Sequence, residues 1–156
     1  MSNFEKITET TGAEGQLSGI INDFNVYLNG KGPDGILFRN VKKVILPKTS
    51  AYENGREEPA DMKLVFGGCE EAAEIIKLMG KKCKLEIRAA ATSLEKSGKA
   101  ELHGHRHILE AVPMELELSP LERMAAMAVT IGLRVFHYTA TVGDTELWDF
   151  EWTEQG

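Results

Sequence analysis

The feature that most limits what this chain can fold into is a polar interval, residues 48–61, set between two short apolar strands. Before it, Val41-Lys42-Lys43-Val44-Ile45-Leu46 reads as a strand and stops at Pro47, whose ring has no N–H to give a sheet ladder. After it, Met62–Phe66 reads as the return strand and ends at Gly67-Gly68. Most hairpins turn in about 2–5 residues, so an excursion of this length is surplus to the strand pair. With almost no apolar side chains it adds nothing to a core either. Contact with another molecule is the use that fits.

The helix that follows is plain. Ala72, Ile75, Ile76 and Met79 recur at i, i+3, i+4 and i+7, one apolar stripe on a 3.6-residue period. Glu70 and Glu71 favour the positive end of its dipole, and Gly80 suits a left-handed stop. No other segment shows this period. Elsewhere the alternation is that of strands. Phe24, Val26 and Leu28 oppose Asn25 and Tyr27, and turn residues from Asn29 to Gly35 lead into Ile36-Leu37-Phe38. Cys83, Leu85, Ile87 and Ala89 alternate with Lys84, Glu86 and Arg88, and Ala100–Val112 reads as the strand that returns beside them. Pro113 is expected to interrupt, leaving Met114–Arg123 as a connection. Ala125–Thr141 is the longest strand candidate, with Met127, Val129, Ile131, Leu133 and Val135 facing one way. Gly143-Asp144 turns the chain into Glu146–Trp152, where Trp148, Phe150 and Trp152 oppose Leu147, Asp149 and Glu151. About seven strands and one short helix predict an α+β fold, a mostly antiparallel β barrel or sandwich with a long hairpin loop. Residues 1–18 are polar and aperiodic and read as a flexible arm ahead of one domain, 19–156.

Composition narrows the function. A length of 156 residues suits one domain, and 42% hydrophobic with 27% charged residues is ordinary globular composition. A net charge of −6 disfavours a general nucleic-acid-binding surface, which needs clustered Lys and Arg. No signal segment or long apolar run is evident, so cytosolic synthesis is the default expectation. Two cysteines set no disulfide framework; both Cys69 and Cys83 read as packed thiols. No serine elbow, phosphate-loop spacing or paired base marks an active site, so no enzyme and no cofactor is expected.

One cluster stands out: His103, His105 and His107, alternate residues that share one strand face. Two of them could ligate one metal, but the outer two are about 13 Å apart along a strand. A metal site would need His137 or a carboxylate from elsewhere. The plainer reading is a solvated or inter-subunit strand face rich in histidine.

Several short motifs follow one another in a fixed order. They are Asp23-Phe24-Asn25-Val26-Tyr27-Leu28-Asn29-Gly30-Lys31-Gly32, then Val44-Ile45-Leu46-Pro47-Lys48-Thr49 before the long loop. Glu74-Ile75-Ile76-Lys77-Leu78-Met79-Gly80 with its flanking strands follows. Leu133-Arg134-Val135-Phe136-His137-Tyr138-Thr139 with Gly143-Asp144 and Leu147–Phe150 closes the series. In this order they resemble the major tail tube protein of contractile-tailed phages and the related tube subunits of R-type bacteriocins. The likeness spans residues 20–152 but not the Ala91–His107 hairpin or Pro113–Arg123.

The resemblance implies a structural subunit of a virion tail, assembled in the host cytoplasm. Six copies would close one barrel around a lumen, and rings would stack into a tube that conducts DNA. Implied partners are other copies, the tail sheath protein, and a tape measure protein and DNA held in the lumen without specific binding; no membrane is implied. Lys48, Thr49, Ser50, Ala51, Tyr52, Glu53 and Asn54 become the inter-ring contact, and the helix an outer buttress whose Glu70, Glu74 and Lys77 face the sheath. Lumen candidates are the Lys84/Glu86/Arg88 face or the Glu101/His103/His105/His107 face. Arg88 and Arg106 would hold DNA there unless a carboxylate paired them. The alternatives are the tube of a DNA-free injection device, type VI-like or bacteriocin, and a small β-barrel that binds a metal or ligand through its histidines.

Overall fold

In the computed structural model, residues 20–30, 32–33, 35–48, 60–94 and 100–152 are described, the side chains of 93, 94, 100 and 101 excepted. Among the described residues, eight strands and one helix follow each other as β1 (Ile20–Leu28), β2 (Ile36–Phe38), β3 (Val41–Ile45), β4 (Ala60–Phe66), α1 (Cys69–Ile76), β5 (Cys83–Leu94), β6 (Ala100–Leu118), β7 (Val129–Val142) and β8 (Thr145–Glu151). All pairings are antiparallel, in the order β2-β1-β5-β6-β7-β4-β3, with β8 also on β7. The result is the mostly antiparallel half-barrel with one short helix that the strand and helix periods predict.

Two long strands divide this sheet into two leaves. The first half of β7, Val129–Val135, pairs with β4 along one edge. Its second half, His137–Val142, gives that same edge to β8. On the other side, β6 pairs with β5 only as far as Ala111. The first leaf is therefore β1-β5-β6-β7-β8, and the second is β3-β4-β7-β6. Only Arg39 and Asn40 separate β2, on one flank, from β3, on the other, and this link curls the sheet around its core. Glu71 of α1 holds the link, accepting the N–H groups of Arg39 and Asn40. Gly67 is where the link and the helix entry meet: a Cβ there would come within 2.6 Å of Asn40 Oδ1. That close approach explains the glycine at 67, in a pair that has no phosphate-binding pattern.

The core lies between the leaves and under α1. Val26, Leu28, Leu64, Phe66, Ala72, Ile75, Leu85, Leu109, Ile131, Leu133 and Tyr138 are essentially inaccessible. Phe38 of β2 meets Phe66 of β4 edge-on at 5.3 Å, joining the flanks.

Several expectations are corrected. Strand β6 does not stop at Pro113 but runs to Leu118 through a register shift between Pro113 and Glu115. The proline is tolerated because β5 has already left that edge and Gly80 N–H takes its carbonyl at 2.9 Å. Strand β7 begins at Val129, later than expected, and changes phase. Odd residues are buried up to Val135; Phe136 is a bulge, after which Tyr138, Ala140 and Val142 are buried. Helix α1 ends at Ile76, although Gly80 has the expected left-handed φ of 80°. Cys69 is exposed, its Sγ 3.6 Å from Met127 Sδ, while Cys83 is buried as expected and its thiol pushed up to about 11 by desolvation. The arm at 1–18 lies outside the described residues.

Candidate functional site

The first leaf has one face on the core and one face turned away from it, and the two differ in chemistry. On the outward face, alternation places Asn25 and Tyr27 of β1 and Lys84, Glu86 and Arg88 of β5. Arg106, Ile108 and Glu110 of β6, His137 and Thr139 of β7, and Asp149 and Glu151 of β8 complete it. Arg88 and Arg106 stand directly opposite each other, a like-charge pair that costs stability unless something intervenes. Glu86 intervenes. Its Oε2 accepts from Arg88 Nε at 2.5 Å and its Oε1 from Arg106 Nη2 at 3.1 Å. Glu86 is only 3% exposed. Burial works to raise its carboxyl, but the two guanidinium hydrogen bonds outweigh that and hold it below the ordinary value. One carboxylate thus holds both arginines, whose side chains remain 43% and 48% exposed.

One strand further on, His137 makes a second bridge. Its Nδ1 lies 3.0 Å from Glu110 Oε2, and its Nε2 meets Asp149 Oδ1, which also accepts from Thr139 Oγ1 at 3.0 Å. Partial burial works against the imidazolium, but the carboxylates of Asp149 and Glu110 outweigh it, raising His137 above its usual value. Asp149 is lowered in turn, first by its bond to His137. The bridge spans β6, β7 and β8.

The histidine row faces the other way. Ala91 pairs with His103, Ala89 with His105 and Ile87 with His107, all on the core side of the leaf. His105 and His107 are buried, which corrects the expectation of a solvated row. Tyr138 Oη meets His107 Nδ1 at 2.6 Å, and Trp148 packs edge-on against Tyr138 at 5.6 Å. Desolvation, and the neighbouring His105, push His107 down to about 4. These rings floor an apolar cavity of ≈ 550 Å³, whose other walls include Phe24, Val44, Leu46 and Pro47. Among the described residues no group of three His, Cys, Asp or Glu could hold a metal ion, His137 being on the opposite face.

The candidates thus separate. Glu86 lies on the outward face, whereas His103 and His105 lie on the core side, so the two proposed linings exclude each other. The Glu101 side chain lies outside the described residues. So do Thr49, Ser50, Ala51, Tyr52, Glu53 and Asn54 of the loop; Lys48 is exposed at its start, next to buried Pro47. The His137 bridge carried no local signal in the sequence, because its three members come from three strands.

No protein-family model and no curated protein matches the sequence. Among solved structures, a crystal structure of an Hcp protein matches with a TM-score of 0.53 and 12% identity, covering 83% of this chain and 98% of that one. A component of the anti-feeding prophage (AFP) baseplate, solved by 6-fold symmetrised cryo-EM, matches at TM-score 0.43 and 14% identity, over 80% and 95% of the two chains. The chain has an Hcp-like fold.

Proposed function

We propose that the protein is a structural subunit of the tail tube of a contractile phage. Copies associate head-to-tail into a six-membered ring, and the rings stack into a hollow tube. The observation that carries this reading is the first leaf: a polar outward face with, among the described residues, a free strand edge on each flank. On one flank, residues 20–25 of β1 pair among the described residues only with β5, because β2 covers β1 only from Val26 to Leu28. On the other, β8 pairs among the described residues only with β7. An isolated sheet with two open edges is a liability; joining the β1 edge of one copy to the β8 edge of the next removes both. A head-to-tail contact of this kind closes into a ring.

The outward face then lines the lumen. Glu86 offsets one of the two guanidinium charges and ties both arginine side chains to the sheet, which weakens phosphate capture and suits DNA that slides without specific binding. The helix lies on the far side of the core and faces outward, where exposed Glu70 and Lys77 offer a polar surface to a sheath. The loop at 48–54 reaches the next ring. The tail-tube resemblance of the sequence and the shared Hcp fold support the same reading.

Negative-stain microscopy of the purified chain tests it: rings or hollow tubes are expected, and a monomer at every concentration overturns it. Glu151→Pro locates the interface. Trp152 N–H points back to β7, bonding Phe136 O at 2.7 Å, so alternation turns the Glu151 N–H to the free edge. A proline there should abolish rings and leave the monomer folded.

A further inference from the structure

We infer that the second leaf also continues from copy to copy, with residues 114–118 of β6 taking strand β3 of the neighbouring copy as an added strand. This rests on the ring reading and names the partner strands of its outer wall. Beyond Ala111 strand β5 no longer covers β6, and after Gly80 N–H closes the Pro113 carbonyl, no strand among the described residues pairs with that edge. Ser119 N–H bonds Ala128 O at 2.9 Å, so alternation turns the N–H groups of Leu118 and Leu116 toward the open side. The same segment exposes Met114, Leu116 and Leu118, although Leu116 and Leu118 stand opposite the fully buried Ile131 and Val129. An open edge with exposed apolar side chains is a template for strand addition.

The complement lies on the opposite flank of the same chain. Strand β3 pairs only with β4 among the described residues, and exposes Lys42, Lys43 and Ile45. Glu115 and Glu117 are exposed on β6. Apolar and acidic residues on one edge therefore face apolar and basic residues on the other. Direction agrees as well: the antiparallel order β3-β4-β7-β6 runs β3 and β6 oppositely, so around an axis along the strands the neighbour's β3 meets β6 antiparallel. Topology agrees too. Counting outward from β7, the open edges of β6 and β1 lie on one side, and those of β3 and β8 on the other. One head-to-tail step joins both leaves, giving a double-walled ring.

Charge reversal in the full chain tests this. Glu115→Lys with Glu117→Lys should raise the concentration needed for half-assembly roughly tenfold or more, the effect of opposing like charges in a closed interface. Lys42→Glu with Lys43→Glu should do the same, and the chain carrying all four changes should assemble again. Leu118→Pro, which removes an edge donor and no bond inside the sheet, should block rings while leaving the circular dichroism of the monomer unchanged. If wild-type rings form and the reversed pairs assemble normally, the inference falls while the ring reading stands. If each pair disrupts and the fourfold change does not restore assembly, the edges do not face each other and β6 takes another occupant. A wild-type chain that never assembles overturns both.

Discussion

His107 and His137 lie within the same pair of strands, β6 and β7, yet their environments oppose each other. His107 is on the core side against Tyr138, where burial favours the neutral ring. His137 is on the outward side between two carboxylates, which favour the cation. The difference teaches how the two faces of one sheet are specialised. On the inner face, burial favours the uncharged ring of His107, and Tyr138 gives it a partner. The outer face keeps its charges and ties several of them together within the sheet, Arg88 and Arg106 through Glu86 and His137 through Glu110 and Asp149.

Several changes would break or sharpen that contrast. The largest effect should come from the inner face: Tyr138→Ala opens a cavity beside Leu109 and Trp148 and strips His107 of its partner, costing about 3–5 kcal/mol in denaturant unfolding. Acid comes next. Because the folded state holds His107 near 4 against an ordinary 6.5, its contribution is complete above pH 6.5 and is lost as the pH falls toward 4. The loss is about 3 kcal/mol on a stability–pH curve, and His107→Gln should flatten it. On the outer face, Glu86→Gln leaves Arg88 opposite Arg106 with no carboxylate between them. Since both guanidiniums reach solvent, the cost should be about 1–2 kcal/mol. The gain in free cationic charge should be visible as new salt-sensitive retention of assembled tubes on DNA. The smallest effect belongs to His137→Gln. Because the folded state raises His137 above 6.5, its contribution is complete below pH 6.5 and is lost as the pH rises through the raised folded value. The variant should be less stable than wild type by under about 1 kcal/mol at pH 6 and indistinguishable from it at pH 9.

Much of the fold was legible because its signals are local. The stripe of Ala72 and Ile75, the alternation through Cys83 and Leu85, and the turns at Asn29-Gly30 and Gly143 each declare themselves within a few residues. The two-leaf arrangement was not, because it depends on where pairing partners begin and end. Pro113 looks like a strand break, and only the departure of β5 at Ala111 shows why it is not one. The bulge at Phe136 had a trace in the adjacent apolar pair Val135-Phe136, but its position is fixed by the register with Ala111. Burial of His105 and His107 was hidden by their polarity, since the outward set of β6, Arg106 and Glu110, is more polar still. The need for a carboxylate beside Arg88 and Arg106 followed from charge alone. That Glu86 supplies it required the β5–β6 register.

The central claim is that the outward face of the first leaf lines a lumen. A cryo-electron microscopy map of the purified chain in its assembled state tests it most directly. The account predicts a six-fold ring with the Glu86–Arg106 and His137–Asp149 bridges turned toward the axis and helix Cys69–Ile76 on the outer surface. A ring with that helix at the axis, or with β8 and β1 of neighbouring copies apart, would contradict it.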